Sequence, residues 1–115
     1  MENSRLQKVA RLIQKDMGDI LRIEAKNLFC GAMISVTKVT VSTDLAVAKL
    51  YVSILPLGQI SIEQVLLLIQ KNKKTLRNAL AQRIKHQLRI IPNLSFFIDD
   101  SLDYAENIEK LLKQK

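Results

Sequence analysis

Basic side chains are concentrated in one segment of this 115-residue chain. The segment from Gln64 to Ile98 contains seven of them and no acidic residue. Its charge of +7 therefore equals the net charge of the whole chain. The other 11 of the 18 lysines and arginines are balanced by 11 acidic residues. A positive field that arises from one segment is typical of proteins that bind polyanions. The seven residues are Lys71, Lys73, Lys74, Arg77, Arg83, Lys85 and Arg89.

Side chains suited to catalysis or metal binding are sparse. His86 is the only histidine and Cys30 the only cysteine, so one chain can assemble neither a metal cluster nor a Cys–His couple. The acidic cluster of Asp99, Asp100 and Asp103 fits helix capping better than metal binding. Nothing resembles the phosphate-binding pattern GxxxxGK[ST]. We therefore expect no enzyme activity, no metal or cofactor, and no small-molecule substrate.

Length and composition favour one compact domain over residues 1–115. The chain is shorter than the ~150 residues usual for one domain, and no Gly, Ser or Pro block suggests a linker. A lone cysteine cannot form an intramolecular disulfide. Charged residues interrupt the first twenty positions, and no apolar run approaches the ~20 residues of a membrane span. We expect a monomeric cytoplasmic protein with no membrane partner.

The first half of the chain predicts a helix followed by a hairpin. Apolar residues from Leu6 to Leu21 recur at helical spacing, with Asn3 or Ser4 as the expected cap. Residues 33–41 and 46–54 are rich in β-branched side chains and are separated by turn-forming residues. These features predict an amphipathic helix and then two antiparallel strands, with one apolar face against helices.

The second half predicts a long, bent helix. Ser61 and Gln64 have the spacing of a capping box, and the helical pattern continues to about Leu88 before Pro92 stops it. So long a helix is unusual in a small domain, so we expect a bend near residues 70–75.

A third strand and a last short helix follow. The strand is expected at Leu94–Ile98, where adjacent Phe96 and Phe97 point to opposite faces, one into the core and the other free to stack on a base. The helix is expected from Asp99–Ser101 to Leu111 or Leu112. The fold class is thus α+β, in the order of the type II KH fold: α-β-β-α-(kink)-α-β, with helices on one face of three strands. The GXXG loop of ordinary KH domains is absent.

Two groups of residues resemble signatures of the ribosome-binding factor A family. The first is the hairpin segment Val39–Leu45 with Ala48 and Tyr51-Val52-Ser53. The second comprises Leu76-Arg77, Leu88–Pro92, Leu94–Phe97 and Asp100-Ser101. Arg5, Val9, Ala10 and Ile13 are similar to the family's first helix, so the resemblance covers nearly the whole chain.

The resemblance implies a non-catalytic assembly factor of KH-like fold. Such a protein binds the free small ribosomal subunit and assists late maturation and processing of its rRNA near the 5′ end. Where the family often bends its long helix at an Ala-x-Gly element, this chain has Asn72-Lys73-Lys74. The position and depth of the bend are therefore left open.

A basic helical face is the expected contact with rRNA. If roughly five or six side chains meet phosphates, affinity should fall with salt at a log–log slope of about −4 to −6. Two alternatives stay open: a KH-like protein-interaction or homo-oligomerising module that uses the apolar run Val65–Ile69 and leaves the charged face to solvent, and a small enzyme of unrecognised type. The expected contacts are Lys71, Lys73, Lys74, Arg77, Lys85 and Arg89.

Overall fold

A computed structural model describes residues 2–99, and their side chains from residue 4 onward. The predicted C-terminal helix lies outside these residues, and of its three candidate N-cap residues only Asp99 is described. The described elements follow in the order α1 (Glu2–Ile23), α2 (Ala25–Leu28), β1 (Met33–Val41), β2 (Val47–Leu55), α3 (Ile62–Lys71), α4 (Lys73–Ile84) and β3 (Asn93–Ile98).

The three strands form one mixed sheet in the order β1-β2-β3. β1 and β2 form the predicted antiparallel hairpin, whose register shifts between Val36 and Lys38. β3 runs parallel to β2. Because parallel neighbours need a crossover, α3 and α4 connect the two strands across the sheet. The predicted α+β order is confirmed, with α2 as an additional short helix.

Helices cover one face of the sheet, and no described helix lies on the other, which we call the open face. Along β2, Ala48, Leu50, Val52 and Ile54 are at most 7% exposed, as their alternation predicts. They form one core with the apolar stripe of α1 and the buried residues of α3 and α4. The intervening residues of the strands therefore face away from the helices. No helix among the described residues is long and apolar enough to cross a bilayer.

The predicted bend lies at Asn72, between α3 and α4. Its backbone (φ −98°, ψ 15°) is not helical, yet hydrogen bonds continue on both sides. The Asn72 N–H donates to the Leu68 carbonyl oxygen at 3.0 Å, and the Leu76 N–H donates to the Asn72 carbonyl oxygen at 2.9 Å. The Asn72 side-chain amide also donates to the Leu68 carbonyl oxygen at 2.8 Å. This residue therefore bends the helix without leaving these backbone groups unpaired.

The N-terminal limit predicted for the first helix is wrong. α1 already includes Asn3 and Ser4, so neither is its cap. These residues precede Leu6, the first apolar residue of the stripe, so periodicity does not define where the helix begins.

The predicted C-terminal end of the long second helix, at about Leu88, is also wrong. α4 ends at Ile84, eight positions before Pro92, and a turn follows in which the N–H groups of Gln87 and Leu88 donate to the Ile84 carbonyl oxygen at 2.8 and 2.9 Å. Leu88 packs against the core from this turn, so its helical spacing after Ile84 was misleading. The strand limits shift slightly, with β2 beginning at Val47 and β3 at Asn93.

Candidate nucleic-acid interface

Three predicted contacts lie at the bend between α3 and α4. Lys71 ends α3, and Lys73 and Lys74 begin α4. All three side chains are exposed, and none has a hydrogen bond or ion pair with the described part of the chain. Their ammonium groups are therefore available to an anionic partner.

Lys85 and Arg89 continue this exposed basic surface beyond α4. The Lys85 ammonium lies 3.4 Å from the Gln82 side-chain oxygen, and Arg89 is exposed without a partner among residues 2–99. His86 is exposed between them, as expected for a residue on the helix surface. Leu76, Leu80 and Ile84 are fully buried on another side of α4 from Lys74 and Lys85. We call the surface of Lys71, Lys73, Lys74, Lys85 and Arg89 the helical basic face.

Arg77 differs from the other predicted contacts because it is bound by the protein itself. Its Nη2 donates to the Ile91 carbonyl oxygen at 2.7 Å, and its Nε donates to the Pro92 carbonyl oxygen at 3.1 Å. The side chain is half-buried and ties α4 to the segment that enters β3. A phosphate contact by Arg77 stays a prediction, and the structure gives this residue a positioning role.

Arg83, the seventh basic residue of the segment, joins α4 to α1. Its guanidinium donates to Asp16 at 3.1 Å and to Asp19 at 3.0 Å. Arg22 also binds Asp19, at 3.2 Å. Both acids of this part of α1 are thus paired with arginines, which reduces their repulsion of an approaching anion.

Sequence reasoning missed a second row of basic residues beside the helical basic face. Lys8, Arg11 and Lys15 are exposed on α1 and line a groove of about 510 Å³ together with Gln87 and Leu88. The signal was present, because these lysines and arginine recur at steps of three and four and residues 3–15 contain no acid. The turn after α4 brings this row beside Gln87 and Leu88, which lie between Lys85 and Arg89 in the sequence.

A family model described as ribosome-binding factor A matches residues 5–112. The chain belongs to the ribosome-binding factor A family. This membership confirms the predicted family and the expectation that the protein is not an enzyme.

Curated members of the family align with nearly the whole chain. The ribosome-binding factor A of Christiangramia forsetii is 46% identical over 99% of this chain and 86% of its own length. The factor from Flavobacterium johnsoniae is 47% identical over 100% of this chain and 88% of its own length. The factor from Chlorobium phaeobacteroides is 37% identical over 96% of this chain and 92% of its own length.

Solved structures of the family have the same fold. The crystal structure of ribosome-binding factor A from Thermus thermophilus aligns with a TM-score of 0.62 at 23% identity, over 81% of this chain and 94% of that chain. A homology model of the Thermus thermophilus factor was fitted into a cryo-EM map of a 30S complex. It aligns with a TM-score of 0.58 at 23% identity, over 75% of this chain and 86% of that chain. These matches confirm the KH-like type II fold.

Most of the apolar run Val65–Ile69, the expected interface of the alternative protein-interaction module, packs in the core of the domain. Val65 and Ile69 are fully buried, and only Leu67 of the run is extensively exposed, at 64%. Leu67 lines a shallow groove with Leu57 and Cys30. Within residues 2–99, no group of three or more His, Cys, Asp or Glu side chains is placed to hold a metal ion.

Proposed function

We propose that this protein is a cytoplasmic, non-catalytic assembly factor that binds the free small ribosomal subunit. It assists the late maturation and processing of the subunit's rRNA near the 5′ end. One KH-like domain over residues 1–115 acts as a monomer, and the helical basic face contacts rRNA. Neither a cofactor nor a small-molecule substrate is required.

Family membership and a basic surface without acidic partners among residues 2–99 support this function. The Thermus relative was fitted into a map of a complex with 30S. In this chain, five of the six predicted contacts are exposed, and four of them have no side-chain partner in the described region. Surface lysines and arginines without acidic partners are well suited to bind phosphates. The availability of these five side chains is the observation on which the proposal depends.

The bent helix determines how the face meets RNA. Lys71, Lys73 and Lys74 cluster at the bend, and Lys85 and Arg89 lie at the far end of α4. Arg77 holds α4 against the segment before β3, so the two groups keep a fixed separation. Phosphate contacts have little sequence preference, so the shape of a folded rRNA region supplies selectivity.

Co-sedimentation with free small subunits, large subunits and joined ribosomes, repeated over a salt series, tests the proposal. We expect binding to free small subunits only. Lys74→Glu and Arg89→Glu should each weaken it and reduce the magnitude of the log–log salt slope by about 1. Lys26→Glu is the matched control, because Lys26 is exposed on α2 and the substitution changes the net charge equally. The helical basic face would be rejected as the contact if neither Lys74→Glu nor Arg89→Glu weakened binding, or if Lys26→Glu weakened it equally.

A cellular measurement tests the role in rRNA maturation. Cells whose only copy has both charge reversals should accumulate small-subunit rRNA with an unprocessed 5′ end, which primer extension detects. Cells with the Lys26→Glu protein should process this end normally. Normal processing in the double variant, at unchanged protein levels, would contradict the maturation role of this face.

A further inference from the structure

The open face of the sheet has a row of three side chains that crosses all three strands. Lys38 of β1 pairs with Tyr51 of β2, and Tyr51 pairs with Phe97 of β3. The helices lie on the other face, so this row is separate from the helical basic face. It forms where the register shift after Val36 places Lys38 opposite Tyr51.

The two aromatic rings of this row are stacked on each other and accessible. Their centroids are 5.6 Å apart with an interplanar angle of 30°. Phe97 is 43% exposed and Tyr51 is half-buried, whereas Phe29 and Phe96 are in the core. The Phe97 ring lies outside the core and leaves apolar aromatic surface accessible to solvent.

Positive charge and small hydroxyl groups surround the rings. The Lys38 ammonium lies 6.0 Å from the centroid of the Tyr51 ring, within range of a cation–π contact. Lys49 is exposed on the same face, and its register partners are Thr40 and Ser95. The three strands contain no acidic residue. At the edge of the row, the Asp99 carboxylate is hydrogen-bonded to the Thr37 hydroxyl.

We propose that this open face binds single-stranded RNA. A base stacks on the exposed Phe97 ring, which the Tyr51 ring supports from behind, while Lys38 and Lys49 neutralise phosphates. Every base has a π-face, so stacking on exposed rings beside lysines suits a single strand of many sequences. A double helix keeps its bases stacked internally and does not offer them to these rings. Charge complementarity favours RNA over a protein partner, because Lys38 and Lys49 flank the rings and the three strands contain no acidic residue. The exposed aliphatic side chains of this face, Met33 and Leu55, pair with each other at the end of the hairpin away from Lys49.

This second site does not depend on the proposed ribosomal function, and a free oligonucleotide tests it directly. The full-length protein is titrated into a fluorescein-labelled oligouridylate of about eight nucleotides, and anisotropy reports the dissociation constant. Phe97→Ala and Phe97→Leu should each weaken binding about 5- to 100-fold, since neither side chain stacks on a base. Phe97→Tyr keeps a ring and should bind within about 3-fold of the unmodified protein. The leucine variant retains much of the apolar side chain, and thermal melting shows that each variant is folded.

Amide chemical shifts locate the site on the same complex. The proposal requires shifts at Lys38, Tyr51 and Phe97, and little change when Lys74→Glu alters the helical basic face. Shifts confined to α3 and α4, or an affinity that Lys74→Glu reduces and Phe97→Leu does not, would overturn it. An open face that gives no response to RNA, because a protein or the chain's own residues 100–115 occupy it, would also overturn it. Small-subunit co-sedimentation is a separate measurement, so the two proposals fail independently.

Discussion

Arg77 Nη2 donates a 2.7 Å hydrogen bond to the carbonyl oxygen of Ile91. This contact joins the middle of α4 to the segment that precedes β3, and the neighbouring Pro92 carbonyl oxygen accepts a second bond from the same guanidinium. A cationic side chain thus satisfies two backbone acceptors in a segment that has no regular secondary structure. Its charge is the same as that of the exposed lysines, but its first role is to hold the fold together.

Replacing Arg77 should therefore reduce stability. Arg77→Met keeps an apolar stem but removes both hydrogen bonds, and we expect the free energy of unfolding to fall by about 1.5 to 3 kcal/mol. Arg89→Met is the matched control, because Arg89 is exposed without a described partner, and it should change stability by less than about 0.5 kcal/mol. Urea unfolding measures both. Equal losses in the two variants would contradict the positioning role.

Arg83 should contribute less, because its ion pairs with Asp16 and Asp19 are closer to solvent. The Arg83 side chain is 36% exposed, and screening by water and salt limits such pairs to about 0.5 to 1 kcal/mol. Arg83→Gln should lower the free energy of unfolding by that amount at low salt and by less at about 1 M salt. Urea unfolding at both salt concentrations measures this difference. Arg22→Gln, at a site that is 76% exposed, should have a smaller effect; a larger effect would refute this ranking.

The difference between Arg77 and Arg83 shows what the sequence predicts and what it leaves open. Alternating apolar residues in β2 predict its buried face, and the spacing of Ser61 and Gln64 predicts the capping box that forms. Both signals are local. The partners of Arg77 and Arg83 are 14 or more positions away, and only the packed fold determines which carbonyl or carboxylate each one reaches.

The same limit applies to the aromatic row on the open face. The sequence predicts that Phe96 and Phe97 point to opposite faces, and burial of Phe96 with exposure of Phe97 confirms it. That Phe97 stacks on Tyr51 depends on parallel pairing of β3 with β2 in one register. No local pattern in either strand specifies that register.

Lys74 occupies the position of the glycine in the family's Ala-x-Gly element, so Lys74→Gly tests how that glycine would change the stability of the bent helix. Lys74 lies in the first turn of α4, where helical hydrogen bonds continue across the bend. Lys74→Gly should lower the free energy of unfolding by about 0.5 to 1 kcal/mol relative to Lys74→Ala, because glycine loses more backbone entropy in a helix. Thermal and urea unfolding measure the difference.

The same pair of variants separates charge from backbone shape in small-subunit binding. Both remove the Lys74 ammonium, so both should weaken co-sedimentation equally if that charge contacts rRNA. Recovery of binding in Lys74→Gly alone would instead show that the depth of the bend matters.

The hairpin turn should make a small, pH-dependent contribution to stability. The Ser42 hydroxyl donates to the Asp44 carboxylate at 2.7 Å and the Ala46 N–H donates to it at 3.1 Å, which holds the pKa of Asp44 below its usual value. Because the lowered pKa belongs to the folded state, the stabilisation is present at neutral pH and is lost as pH falls below about 4. The melting temperature of the unmodified protein should exceed that of Asp44→Asn at pH 7, with a smaller difference at pH 3. A difference that grows in acid would refute this assignment.

The turn between α2 and β1 contains backbone strain that one substitution can relieve. Cys30 has φ of 53° and is followed by Gly31 at 82°, so two consecutive residues are left-handed. Glycine adopts this conformation freely, whereas most side chains do so at a cost of about 1 to 2 kcal/mol and asparagine at a lower cost. Cys30 is exposed, so its thiol adds little packing.

Cys30→Asn should therefore raise the free energy of unfolding by about 0.5 kcal/mol, a rise of about 2 to 4 °C in melting temperature. Cys30→Ala is the control, because alanine retains the β-carbon that makes the left-handed conformation costly, and it should leave the melting temperature nearly unchanged. Calorimetry under reducing conditions measures all three proteins without interference from intermolecular disulfides. If alanine stabilised the protein as much as asparagine, the gain would come from removing the thiol and not from the backbone. A loss of stability with asparagine would show that the Cys30 side chain makes a packing contribution larger than the strain.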